Sequence, residues 1–358
     1  MKAWKLVATA VVFCVPMAAQ WLRQPTPGIP RLANGKPDLN AAAPRTPDGH
    51  PDFSGLWTRV SPKYARNIAA DLKPGDVAPW AEALVKERVE NLGREYMNVL
   101  CVPLGPGYSA AGDSTGAEMM KIVQTPNLIL ILNPDLTYRQ VFMDGRKLEE
   151  SPNPNWMGYS VGRWDGDTLV VESAGYNDKT WLDHDGHPHS EQLRMTERYR
   201  RRNFGNIDLE IAVSDPGVYA KPFTVKVSAV FAPDTEMLEW VCGENAAKPI
   251  QHWVGKASDE RKGAYAVPPD VMAKYVGTFV EQPKLWRSVP RVVEILVYEG
   301  ELFGDMDGRG KTPLTGMSEK EFSGLYGLGV EFTQNGDAPV EQLFVKHVSG
   351  NYRFTRKK

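Results

Sequence analysis

The sequence predicts an all-β protein: an antiparallel meander forming a barrel or barrel-like sandwich with one packed helix, then a small second β-domain. Three observations carry that expectation. Short runs rich in Val, Ile, Tyr and Phe recur from residue 121 onward, tight Asp/Asn/Gly/Pro turns join them, and no helical stretch separates consecutive runs. Parallel strands need crossovers of a dozen residues or more, so these runs cannot form a parallel sheet. An antiparallel meander this long curls into a barrel or splits into two layers.

The chain opens with "MKAWKLVATAVVFCVPMAAQ", in which Lys2 and Lys5 precede an apolar run from Leu6 to Val15 and small residues at Ala18 and Ala19. That is the layout of a secretory signal peptide over residues 1–20, and its apolar run is shorter than a membrane span. The mature chain is therefore expected to be exported, to the periplasm or beyond, with no integral membrane segment. Residues 21–52 are rich in proline and lack apolar periodicity, which predicts an extended segment, either a tether or a wrap around the first domain.

The first domain is expected over residues 53–256. "VAPWAEALVKERVENLG" (77–93) sets Trp80, Leu84, Val85 and Val89 at helical spacing, with Pro79 near the start and Gly93 as the stop. Strands follow at "KIVQT", "LILIL" and "YRQVFMD". Hairpins come next: "MGYSVGRW" to "TLVVES" through "DGD", "SEQLRMTERYRRR" to "IDLEIAV" through "FGN", and "FTVKVSAVF" to "MLEWV" through "APDT". "GKASDERKGAYA" (255–266) reads as a linker. The second domain, residues 267–358, begins with a short helix in "VPPDVMAKYVGTF" and continues through hairpins at Glu299-Gly300, Asn335-Gly336 and Ser349-Gly350.

"DFSGLWT" (52–58) contains the Gly-x-Trp of first strands in lipocalin-like (calycin) barrels, where the tryptophan plugs one end. The phrasing from "DFSGLW" through "WMGYSVGRWDGDTLVVES" and "WLDHDGHPHSEQLRMTERYRRR" resembles a family of uncharacterised exported bacterial proteins. That resemblance covers most of the chain and implies a lipocalin-like barrel, with no catalytic residue to transfer. The tail from "YVGTF" to "YRFTR" is similar to the small β-barrel domain appended to secreted serine hydrolases, although no Ser-x-x-Lys motif is present.

Composition narrows the functions. A formal net charge of -2 gives no sign of a polyanion partner, so no nucleic acid is expected, and the local cluster "RYRRRNF" (198–204) reads as a solvated strand face. Removal of the signal leaves Cys101 and Cys242, an even pair that an oxidising compartment would join; two separate buried thiols are the alternative. "GDSTG" (112–116) matches Gly-x-Ser-x-Gly at Ser114, but no buried strand precedes it, so a glycine-rich loop is the better reading. "GRWDGDT" (162–168) lacks the further oxygen ligands of a calcium loop and reads as a hairpin turn.

"GHPHSE" (186–191) is the candidate site. On strand parity His187, His189, Glu191, Leu193, Met195, Glu197 and Tyr199 share one face, and the apolar members place that face inward. Buried carboxylates need hydrogen bonds, a counter-charge such as Arg163, or a metal. Pro188 also allows a rim loop before the strand begins. The leading reading is recognition of a small, partly apolar molecule inside the first barrel, with Tyr159 and Trp181 supplying contact area and His187, His189, Glu191, Glu197 and Arg163 orienting polar groups. The alternative is an enzyme in the same cavity. It would use either a divalent metal on His187 and His189, with Glu191 or the distant His252 as third ligand, or His187 or His189 as general base beside a carboxylate. A third reading is a protein-interaction module using edge strands of the second domain.

Overall fold

The computed structural model describes residues 25–60, 62–91, 93, 95–111, 119–242, 264–282, 290–308, 311–325, 328–333, 338–347 and 350–357. The expected signal segment, Ser114 of GDSTG, His252, the Asn335-Gly336 turn and most of the linker lie outside them.

The first domain is a closed barrel of nine strands in sequence order. They are β1 (Gly55–Val60), β2 (Met119–Gln124), β3 (Leu128–Leu132), β4 (Tyr138–Phe142), β5 (Tyr159–Asp165), β6 (Thr168–Ala174), β7 (Arg194–Asn203), β8 (Asn206–Ser214) and β9 (Phe223–Phe231). Strands that alternate in direction can close only in even number. Nine therefore require one like-directed neighbour, and β4 and β5 supply it, pairing parallel at Val141–Ser160 and Phe142–Val161. Residues 143–158 return the chain so that β5 starts at the same end as β4. Closure comes from β9 pairing with β1, Trp57 opposite Phe231 and Arg59 opposite Ala229. "MLEWV" is therefore not a strand, contrary to its local pattern. Both edges of β9 are already taken, by β8 and β1, and residues 237–241 instead run to a single backbone bond from Trp240 N–H to the Pro134 carbonyl, 2.7 Å.

One barrel end is sealed by aromatics. Trp57 is fully buried, its indole N–H donating to the Phe53 carbonyl at 2.9 Å, with Phe231 edge-on at 5.3 Å. The Arg201 guanidinium lies 4.8 Å from the Trp57 ring centroid and donates to the carbonyls of Asp52, Asn203 and Phe204. Gly55 is required here: its φ is +133°, and a Cβ would stand 2.5 Å from the Phe231 ring. The proline-rich segment wraps this domain, bonding Ala41 and Leu39 carbonyls to the Phe204 and Gly205 N–H groups and stacking His50 on Trp164 at 4.3 Å.

The opposite end is capped by four helices, α1 (Pro62–Arg66), α2 (Pro79–Glu90), α3 (Met97–Leu100) and α4 (Gly105–Ala111), and by the loop of residues 175–193. Helix α2 sits where its spacing placed it, but a different face turns inward. Trp80 is 51% and Val89 48% exposed, whereas Ala81 is buried and Leu84, Val85 and Arg88 are half-buried at i+3, i+4 and i+7 from it. Helix α4 presses on the loop through glycine. A Cβ on Gly107 would overlap the Leu182 carbonyl.

The second domain is a nine-stranded sheet of β10 (Gly277–Glu281), β11 (Val292–Tyr298), β12 (Glu301–Met306), β13 (Thr312–Pro313), β14 (Thr315–Gly316), β15 (Glu321–Leu325), β16 (Leu328–Thr333), β17 (Gln342–His347) and β18 (Gly350–Arg356). Its order is β13-β12-β11-β10-β18-β17-β16-β15-β14, which leaves only two-residue strands at the edges. The short helix α5 (Pro269–Tyr275) sends Tyr275 into the core, stacked on Phe332 at 4.1 Å. The Glu299-Gly300 turn has positive φ at both residues, 51° and 82°, as a two-residue hairpin turn demands. Among the described residues no helix is long and apolar enough to cross a membrane.

Cys101 and Cys242 are joined, their Cα atoms 5.4 Å apart and 141 residues apart in sequence, tying the end of α3 to the segment after β9. Loop-closure entropy then sets an expected outcome. The Cys101→Ser/Cys242→Ser double variant should lose about 5 kcal/mol of unfolding free energy in urea at pH 7. An unchanged midpoint would mean the unfolded chain already holds these ends together.

Candidate binding site at the capped end of the barrel

Strand direction and register bring a set of polar side chains to the capped end. Arg59 is near the end of β1, Asn133 follows β3, Arg139 is second in β4, Ser160 second in β5, Ser173 near the end of β6 and Glu197 in the first half of β7. All six are buried. Arg139 donates from Nε to Ser160 Oγ at 2.8 Å and from Nη2 to Ser173 Oγ at 2.6 Å and to Glu197 Oε2. Tyr199 donates its hydroxyl to Glu197 Oε1 at 2.9 Å, and the two serine oxygens are 2.9 Å apart. Burial works against the Arg139 charge, but Glu197 outweighs it and holds the guanidinium charged. Burial, then the Glu197 charge, pushes the Tyr199 hydroxyl well up.

Parity explains which expected residues belong here. The odd face of β7 does point inward, with Met195, Glu197, Tyr199 and Arg201 buried. The partner of Glu197 is Arg139, however, and not Arg163. In β5 the inward residues are Ser160 and Gly162, so Arg163 faces outward, its side chain 57% exposed and 3.5 Å from Glu172. Tyr159 is likewise out of phase: it stacks on Phe142 at 5.2 Å and its hydroxyl accepts from Arg146 at 3.0 Å. Glu191 is exposed, because β7 begins at Arg194 and residues 190–193 form a turn closed by the Leu193 N–H to the Ser190 carbonyl.

His187 and His189 are buried, but in the capping loop, not on a strand. Asp183 organises that loop by accepting the N–H groups of Ile68 (2.6 Å), Gly186 (2.9 Å) and His187 (3.1 Å). Its Oδ2 lies 2.6 Å from His187 Nδ1. Burial alone would lower the His187 pKa; the Asp183 charge and contact, with Asp185 behind them, overcome it and raise it. His189 is lowered by burial, and both ring nitrogens are engaged, Nε2 2.7 Å from Thr180 Oγ1 and Nδ1 3.2 Å from the Ser190 carbonyl. His184 and Asp185 are half-buried against Arg66. Burial pushes the Asp185 carboxyl up to about 6 against the Arg66 charge. Among the described residues no three His, Cys, Asp or Glu side chains converge to hold a metal ion.

Between the cap helices and this loop lies an aromatic cleft of about 10 Å³, room for roughly one water. Tyr96, Met97, Leu104, Tyr108, Trp181 and His184 are among its walls. Trp181 is buried there, with the Arg88 guanidinium 4.4 Å from its ring centroid and Tyr96 at 5.3 Å. Tyr108 also lies over Arg59, 5.4 Å from ring centroid to guanidinium carbon, and so stands between the cleft and the polar layer. Two residues of that layer were within reach of the parity rule. Arg59 is two residues beyond the inward Trp57, and Arg139 two before the inward Val141. Compared with known proteins, the chain matches no family model and no curated protein.

Two outcomes follow from these contacts. Removing one partner of a buried ion pair strands the other charge, so Glu197→Leu should cost about 3–5 kcal/mol, and Arg139→Met/Glu197→Leu should recover most of it, as read by urea unfolding. Asp185 has a folded pKa above its unfolded value, so its contribution is present in acid and lost as pH rises from about 4 through about 6. The stability advantage of Asp185→Asn over the parent should therefore grow by roughly 2–3 kcal/mol across that window and then level. The raised His187 contributes with the same sign, fully below its unfolded pKa of about 6.5 and lost above its folded value.

Proposed function

We propose that the chain is an exported binding protein that holds a small, partly apolar molecule at the capped end of its first barrel. One observation carries the reading: a layer of charged and hydroxyl side chains is buried inside the barrel, directly beneath an aromatic cleft. Burying ions costs several kcal/mol each, and apolar residues of similar volume would make a more stable core. A fold departs from that rule chiefly at functional or strained sites. The signal-like N-terminus and the Cys101–Cys242 pair support export.

A second reading, metal-free acid–base chemistry, is favoured by the 2.6 Å Asp183–His187 contact. The Asp183 charge raises the His187 pKa and so favours its protonated, proton-donating form. The metal-dependent version has less support, since His189 spends both nitrogens within the loop and Glu191 faces solvent.

The test is native mass spectrometry of gently purified protein beside solvent extraction of the denatured chain. The expected result is one small organic molecule per chain, released on denaturation. Adding it back at about 100 times its Kd should raise stability by about 2.7 kcal/mol and change Trp181 fluorescence. A chain that carries nothing, and that no member of a small-molecule panel stabilises, would remove this reading.

A further inference from the structure

The proline-rich segment that wraps the first domain contains an internal repeat. "PRLANGKPD" (30–38) and "PRTPDGHPD" (44–52) share Pro, Arg, Gly, Pro and Asp at five of nine positions, and Asn34 matches Asp48 in shape. Both copies fold into the same small loop. Arg31 bridges Pro37, and Arg45 bridges Pro51, each in antiparallel sense. Three backbone bonds recur in register. The Leu32 N–H donates to the Lys36 carbonyl and Thr46 to His50, both at 2.8 Å; Gly35 donates to Leu32 and Gly49 to Thr46, both at 2.9 Å. The third pair is Asp38 to Pro30 at 2.8 Å and Asp52 to Pro44 at 3.0 Å. Gly35 and Gly49 have φ of +78° and +87°, as the left-handed residue that closes a three-residue hairpin loop. Each copy also ends alike. Its aspartate accepts the N–H two residues on, from Asn40 at 3.1 Å and from Ser54 at 2.8 Å.

The loop holds its arginine in place from within. Arg31 Nη1 donates to the Gly35 carbonyl at 3.0 Å, and Arg45 Nη1 to the Gly49 carbonyl at 2.6 Å. A guanidinium fixed by its own loop has less freedom to lose when it takes a partner. In both copies that partner is one barrel aspartate, met by Nη1 and Nη2 together. Arg31 meets Asp234, which follows β9, at 3.1 and 2.5 Å. Arg45 meets Asp167, in the turn between β5 and β6, at 2.9 and 2.6 Å. The GRWDGDT turn thus has a use: its Asp167 receives the second copy. Two parallel bonds to a planar carboxylate are the geometry that arginine offers and lysine does not. We infer that residues 30–38 and 44–52 are two copies of one carboxylate-binding unit, and that they fasten the proline-rich strap to the barrel as two separate latches. Between the latches, the Leu39 and Ala41 carbonyls hold the Gly205 and Phe204 N–H groups of the turn between β7 and β8. That middle stretch is secured from both sides, so the strap lifts from this turn only when both latches are open.

The experiment uses the full mature chain and follows amide hydrogen exchange by mass spectrometry over residues 25–38, 44–54 and 203–206. Arg31→Gln should speed exchange in 25–38 by about five-fold, the scale of one well-formed exposed pair, and leave 44–54 unchanged. Arg45→Gln should do the reverse. Asp234→Asn and Asp167→Asn should each match the arginine variant of the same latch, and changing both partners of one latch should add nothing further. The Phe204 and Gly205 amides should quicken only in Arg31→Gln/Arg45→Gln. Likeness of the two units has its own test. A chain with Leu32→Thr, Ala33→Pro, Asn34→Asp and Lys36→His carries the second sequence in the first position. Its exchange in 25–38 should stay within about two-fold of the parent, as for surface changes that remove no contact. Faster exchange in both halves from one single variant would make the strap one unit and overturn the inference. No change from any single variant, or an opened strap in the four-fold variant, would overturn it too. So would a single variant that lowers the urea midpoint of the barrel, since its arginine would then serve the barrel and not a latch.

Discussion

The first domain depends on one seam, the pairing of β9 with β1. Closing a sheet on itself satisfies the backbone groups of every strand and leaves no edge to protect. With nine strands in order, closure also imposes a parity condition, and the parallel β4–β5 step meets it. That step sets both strands going in the same direction, so Arg139 and Ser160 begin their strands at one end and can meet. Had β5 run antiparallel to β4, the barrel could not have closed and the two side chains would have started at opposite ends.

Closure creates two ends, and they are treated in opposite ways. At one, Trp57, Phe53, Phe204 and Phe231 fill the interior and Arg201 is saturated by carbonyl oxygens. At the other, charged groups sit inside and a separate cap of short helices and loop covers them. The capping loop is built around Asp183, whose carboxylate replaces the backbone partners that an irregular segment lacks. Its two histidines, the most conspicuous chemical motif in the chain, are held within that loop. The chemistry that remains uncommitted lies below them.

Much of this was legible in the sequence, and the exceptions have physical causes. Strand runs and turns stood out because period-two alternation and Asp/Asn/Gly turns are local signals. The inward placement of Glu197 followed from parity, but its partner did not, because Arg163 and Ser160 are three residues apart and fall on opposite faces. Glu191 was misplaced because parity was carried back through a turn that is not extended. Trp80 and Val89 misled because helical spacing shows only which residues share a face; the tertiary neighbour, here the loop carrying Gly186 and Trp181, selects which face turns in. "MLEWV" has the composition of a strand, yet a closed sheet offers it no edge, a fact that no local window contains.

The Cys101–Cys242 link has a consequence in time as well as in space. Cys101 leaves the ribosome 141 residues ahead of Cys242, and every strand from β2 to β9 is synthesised between them. The helices of the cap are thus made early and fastened late. All nine strands of the barrel have therefore been synthesised before the bond that secures the roof can form. The order of translation thereby makes the fastening report on a barrel whose strands are all present.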